Sequence, residues 1–198
     1  MPVVLTIDER KSRRAARSRA DDLTRRLNEQ PDLAMLLPFE VTVGDELQGV
    51  LGYPIDVVPV LRVIARHAGW WVGIGIGQIE LLGESARMST GIAFVQARRA
   101  VERAKKTPWG VAVEGAGWKR VDDLDRAIAL WITLLEMRSK RGWETVDMRL
   151  RGLTEPEIAS QLGITQQAVN QRLRTAFLAQ DEEGTQLIQS IAREVWPQ

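Results

Sequence analysis

The 198-residue chain has no cysteine, one histidine and one tyrosine. Without thiols there are no disulfides, thiolate metal sites or cysteine nucleophiles. A single histidine, His67, rules out a zinc site built from several imidazoles. It follows the apolar run VVPVLRVIARHAG and reads as a helix-terminal residue. No apolar stretch approaches membrane-spanning length, so no membrane partner is expected. No signal-peptide pattern is visible either, since Asp8, Glu9, Arg10 and Lys11 follow one short apolar run. The expected location is the cytoplasm. A strong charge of either sign is also missing: the net charge is +1. Residues 1–120 hold 18 Lys/Arg and 14 Asp/Glu, while residues 121–198 hold 9 and 12. Neither half is basic enough to announce nucleic acid by charge alone.

What is present describes an ordinary globular protein, 44% hydrophobic and 27% charged, long enough for one large domain or two small ones. MPVVLTI reads as a buried strand ending at Asp8. Lys11 to Asn28 reads as a helix with Ala16, Ala20, Leu23 and Leu27 on one face and Arg13, Arg14, Arg17 and Arg25 on the other. Phe39 to Leu51 reads as a hairpin turning at Gly44-Asp45-Glu46, and Pro54 to Ala68 as an apolar helix. WWVGIGIGQIELL predicts a strand whose glycines 73, 75 and 77 leave one face bare, with Trp70 and Trp71 on opposite sides. Thr90 to Lys106 predicts a helix with Phe94, Ala97, Val101 and Ala104 in register, and Val111 to Glu114 a last short strand. The order strand, helix, strand, strand, helix, strand, then helix and strand is the split βαβ, ferredoxin-like order with an addition.

After Val121 the texture becomes all-helical, which sets a boundary at about residues 117–123 and domains of 1–118 and 119–198. LDRAIALWITLLEM (Leu124 to Met137) is apolar nearly all round, as a helix buried between partners would be, and suggests a homodimer surface. Glu182 to Trp196 reads as a closing helix, with Trp131 and Trp196 packed in this domain. Between them, residues 153–177 have the spacing of a helix-turn-helix. Thr154 and Glu157 form a capping box and Pro156 sits in the first turn. Ala159 is small where helices cross, and Gly163 suits a turn needing positive φ. Ile158, Leu162, Ile164, Val169 and Leu173 complete a small core. Thr165 caps the second helix, and Gln166, Gln167, Asn170, Gln171 and Arg174 face outward. Amides and an arginine suit bidentate contacts with adenine and guanine edges in the major groove. The pattern resembles the helix-turn-helix of sigma-factor and LuxR-type regulators; the alternative is a helical hairpin that binds protein or merely packs.

The first strand to Asp8, GDELQG, GIGIGQI and GIAFVQARRAVERAK together resemble the SatD family over roughly residues 1–115. More distantly they are similar to class III nucleotide cyclases and diguanylate cyclases, which share a palm-like sheet. That resemblance implies an α+β fold, a palm-like (nucleotide cyclase-like) domain followed by the all-α helix-turn-helix domain. It also implies two metal-binding carboxylates, Asp8 and Asp45, with Glu46 at a further carboxylate position. Gly75, Gly77 and Arg99 would then face a nucleotide held through Mg²⁺. The chain departs from the cyclase helix pattern at Val95, where an Asn is expected four residues before Arg99. The expectation is therefore not an enzyme but a DNA-binding transcriptional regulator, whose first domain senses a ligand or self-associates. No cofactor is required by the residues themselves. A metal-dependent nucleotidyltransferase or cyclase using Asp8 and Asp45, and a protein-interaction module, are the alternatives.

Overall fold

Residues 2–10, 16–31, 33–42, 44–81, 83–115 and 119–195 are described by the computed structural model, the side chains of 16–18 excepted. Arg13, Arg14 and Trp196, the Arg17 side chain and part of the expected 117–123 boundary lie outside the described residues. The architecture is mixed α+β. Strand β1 (Val3–Glu9) is followed by α1 (Ala16–Asn28), β2 (Met35–Val41), β3 (Leu47–Leu51), α2 (Val57–His67) and β4 (Trp70–Ile76). Helix α3 (Ile92–Ala104) and β5 (Val111–Glu114) complete a five-stranded sheet ordered β2-β3-β1-β4-β5. β1 pairs antiparallel with β3 and β4, β2 antiparallel with β3, and β5 parallel with β4. Beyond β5 the named elements are helices: α4 (Val121–Glu136), α5 (Lys140–Leu150), α6 (Glu155–Leu162), α7 (Gln166–Thr175) and α8 (Leu178–Val195). None of the helices in the described residues is long and apolar enough to cross a membrane.

The alternation of side chains along β1 sends Val3, Leu5 and Ile7 to one face and Val4 to the other. The first face packs under α1 and α2, through Ala20, Leu23, Leu27, Val60, Leu61 and Ile64. The second face lies under α3, whose Ala93 and Ala97 join Val4 and Val50. Here the structure corrects the expectation of a bare glycine face. An added Cβ at Gly75 would stand 2.0 Å from the Ala93 carbonyl oxygen, and one at Gly73 2.2 Å from that of Ala97. At Gly77 it would meet the Ile92 side chain at 2.1 Å. The glycines admit a helix backbone, not a nucleotide. Phe94 is only partly buried, and the helix face against the sheet is the alanine face. Trp70 is buried and Trp71 half-buried on the α3 side.

The apolar helix α4 is also spent internally. Its Leu124, Ile128, Trp131, Ile132 and Leu135 belong to the same apolar cluster as the sheet and α8, while Leu130 and Met137 remain exposed. A dimer surface along the whole helix is thereby corrected: its main apolar stripe covers β5 and α2 of its own chain. At this junction Asp181, 1% exposed, receives the Arg62 guanidinium at 2.5 and 2.9 Å, Arg138 at 3.0 Å and the Trp131 indole N–H at 2.9 Å. A buried carboxylate needs such partners, because unpaired charge out of water is strongly unfavourable.

Candidate nucleic-acid interface

The hairpin of α6 and α7 is built by local chemistry. The Thr154 backbone N–H donates to the Glu157 carboxylate at 2.7 Å, and the Thr154 hydroxyl does the same at 2.7 Å, with the box closed from the N3 backbone. These bonds hold the Glu157 carboxyl below its usual range, the hydroxyl contact being the larger cause. Gly163 then takes a left-handed conformation, φ 63° and ψ 35°, with nothing within 4 Å of where a Cβ would be. Its role is thus backbone freedom alone. The Ile164 N–H reaches back to the Ala159 carbonyl at 3.0 Å, which closes the end of α6. The Thr165 hydroxyl accepts from the Ala168 N–H at 3.1 Å and opens α7. Ile158, Ala159, Val169 and Leu173 are buried with Val146 and Met148 of α5, while Leu162 and Ile164 are partly buried beside them. All of these helix ends and core positions agree with the sequence reading.

Gln166, Gln167, Asn170, Gln171 and Arg174, with the cap Thr165, are exposed. Gln167, Gln171 and Arg174 follow at i, i+4 and i+7, and Gln166 and Asn170 form a parallel row, so one helix surface carries all five. Asn170 donates weakly to Glu155 at 3.4 Å. Arg172, by contrast, turns inward to Glu144 of α5 at 3.8 Å. Exposed Arg149 and Arg151 each hold one backbone carbonyl, of Leu153 at 3.1 Å and of Asp147 at 3.2 Å. They add positive charge beside the hairpin. A ten-residue helix is about 15 Å long, and its amide and arginine row has the dimensions and donor–acceptor mix that base edges in a major groove accept.

The sequence did not signal what fixes the far end of α7. The Arg138 Nε–H donates to the Ala176 carbonyl, the cap of α7, at 2.8 Å. The same guanidinium binds Asp181 and lies 4.5 Å from the Trp143 ring centre. Burial holds Arg138 below its usual range despite Asp181. Asp181 in turn holds Arg62 of α2, 119 positions away in the chain. Partners that distant leave no local pattern to read.

The candidate metal and nucleotide residues are placed differently. Asp8 is the last residue but one of β1, which runs on to Glu9, and its carboxylate lies 2.7 Å from the Lys105 ammonium, while Glu46 lies 2.9 Å from Arg98. Asp45, in the hairpin turn, has a buried Oδ2 with no hydrogen-bond partner. Among the described residues, no group of three or more His, Cys, Asp or Glu could hold a metal ion. This donor set does not fit Mg²⁺, which would have to displace an ammonium from Asp8. Gly75 and Gly77 lie under α3, and Arg99 is exposed on that helix away from them. The structure therefore does not assemble these residues into one nucleotide site.

Compared with known proteins, the chain matches no family model and no curated protein. The crystal structure of a regulator of polyketide synthase expression from Bifidobacterium adolescentis aligns over 97% of this chain and 80% of that one. The identity is 12% and the TM-score 0.25, too low a likeness to bear on fold or function.

Proposed function

We propose that the chain is a sequence-specific DNA-binding transcriptional regulator. On this reading residues 119–198 form a helical domain in which α6 and α7 are a helix-turn-helix, and residues 1–118 form a palm-like domain that senses a ligand or mediates self-association. The observation that carries the reading is the exposed row Gln166, Gln167, Asn170, Gln171 and Arg174 on a helix capped at both ends. Surface residues with no packing duty are free to serve recognition. The hairpin window Arg149 to Arg174 has four arginines against two glutamates, which supplies phosphate contacts. The chain acts as a homodimer that reads two half-sites, as two-fold operators require. The link Arg62–Asp181–Arg138–Ala176 supports regulation, because it ties α2 beneath the sheet to the end of α7.

The test is recovery of bound fragments from sheared DNA of the source organism, with wild type beside a Gln167, Asn170 and Arg174 triple alanine variant. Enrichment of one sequence, lost in the variant, is the expected result. No enrichment, or enrichment that survives in the variant, overturns the reading and returns the hairpin to a packing or protein-binding role.

A further inference from the structure

Eleven large hydrophobic side chains are exposed among the described residues, and four of them, Leu81, Met88, Ile92 and Val95, fall within one fifteen-residue stretch. Scattered exposed apolar residues are ordinary, but a grouped set marks a surface that another body covers. Local pairing makes the stretch continuous. The Glu80 and Thr90 backbones exchange hydrogen bonds at 2.7 and 3.0 Å, which brings Leu81 back beside the segment that carries Met88. Ile92 opens α3, and Val95 and Arg99 follow it at i+3 and i+7 on one helix face. That face is turned away from the sheet, because α3 sets its alanines against the glycines of β4. The patch is therefore mounted on a tightly packed element.

The charges around it are unequally used. Arg98 is tied to Glu46 at 2.9 Å, Arg87 to the Thr42 carbonyl, and Glu102 to Lys105 at 2.6 Å. Glu84 and Arg99 are exposed and have no ion pair or hydrogen bond among the described residues. They bracket the apolar patch in the chain, Glu84 four residues before Met88 and Arg99 four residues after Val95. A two-fold contact brings each end of a patch against the opposite end in the second copy, so such a patch must complement itself. An apolar centre with one acidic and one basic end meets that requirement. A foreign partner demands no such match within a single surface. The open sheet edge is a poorer candidate, since Asn28 already takes the Phe39 N–H and C=O of β2, each at 2.8 Å.

We propose that this α3 surface joins two copies of the chain in a two-fold dimer, with Met88, Ile92 and Val95 at its centre and Arg99 of each copy paired with Glu84 of the other. It rests on the homodimer of the reading above and gives it a place, on the first domain. Four half-exposed side chains fall short of a standard interface, so the dimer is weak, with a Kd in about the micromolar range.

Sedimentation velocity of the full chain, over a concentration series spanning that range, tests it. Wild type is expected to pass from monomer to dimer. Val95→Glu sets a charge in the apolar centre and is expected to raise Kd at least about tenfold. Glu84→Arg and Arg99→Glu each place like charges across the axis, and each alone is expected to stay monomeric. Mixed in equal amounts, these two variants are expected to pair again, because one copy then presents two arginines and the other two glutamates. All three positions are exposed, so each variant is expected to keep the Tm of wild type. Wild type that stays monomeric overturns this surface and the homodimer reading together. A dimer unmoved by Val95→Glu, charge variants that dimerise alone, or a mixture that fails to pair overturns the surface and leaves the homodimer to another face. Duplex binding, read separately with the α7 variants, does not enter these outcomes.

Discussion

Gly163 and Gly75 both stand out in the sequence, and they are required for opposite reasons. Gly163, in the α6–α7 hairpin, needs a left-handed backbone and has open space beside it. Gly75, in β4, is left room by nothing: a Cβ would collide with the Ala93 carbonyl of α3. The hairpin is governed by local conformation, and the β4–α3 layer by close approach of distant backbone. The first kind of constraint can be read from a short window of sequence. The second invites misreading, since a bare strand face looks like room for a ligand when it is room for a helix.

The comparison can be broken experimentally, beginning with the layer junction where tertiary contacts weigh most. Asp181→Ala leaves Arg62 and Arg138 without their shared carboxylate, and is expected to lose about 3–5 kcal/mol in urea denaturation. A loss under 1 kcal/mol would show that the network is not a keystone between α2 and α7. Gly75→Ala drives a methyl into backbone and is expected to cost about 3 kcal/mol or more, because neither β4 nor α3 can yield alone. Gly163→Ala meets no atoms and should cost only about 1–2 kcal/mol of left-handed strain. Equal effects at the two glycines would erase the distinction drawn here.

Two smaller effects sharpen it further. The Gln167, Asn170 and Arg174 triple alanine variant is expected to keep its stability within about 1 kcal/mol, because these side chains are solvated and pack nothing. A larger drop would assign them a structural role. Finally, burial first and neighbouring arginines second hold the His67 pKa below its ordinary 6.5. A lowered folded pKa means that the unfolded chain binds the proton more readily, so stability is complete above about pH 6.5 and falls as the pH drops through the folded pKa. His67→Gln should flatten that part of the stability profile, and an unchanged acid slope would assign it to carboxylates.

Much of the fold was legible. The element order, the hairpin, the split of Trp70 and Trp71 and the cap residues Thr154, Gly163 and Thr165 follow from periodicity and short-range hydrogen bonding. Helix ends shifted by a few residues: the helix read from Thr90 begins at Ile92, and the closing helix read from Glu182 begins at Leu178. The outward row on α7 was also legible, since helix spacing sorts exposed from buried residues there. The metal reading at Asp8 was not, because the Lys105 ammonium that occupies its carboxylate arrives from the end of α3, far along the chain. Nor was the role of α4, whose all-round apolarity fits a dimer surface or an internal layer equally well.

By itself the sequence determined what depends on neighbours within a turn or two: strand alternation, helix caps, the positive-φ corner at Gly163 and the chemistry displayed on α7. Only the tertiary structure decided which polar groups are spent and which remain. Lys105 neutralises Asp8, Asp181 gathers Arg62 and Arg138, and α3 closes over the glycines, while the Asp45 Oδ2 is buried without a hydrogen-bond partner. The reason is physical: a charge or an amide is satisfied by whatever the fold brings within about 3 Å, and that partner can come from anywhere in the chain.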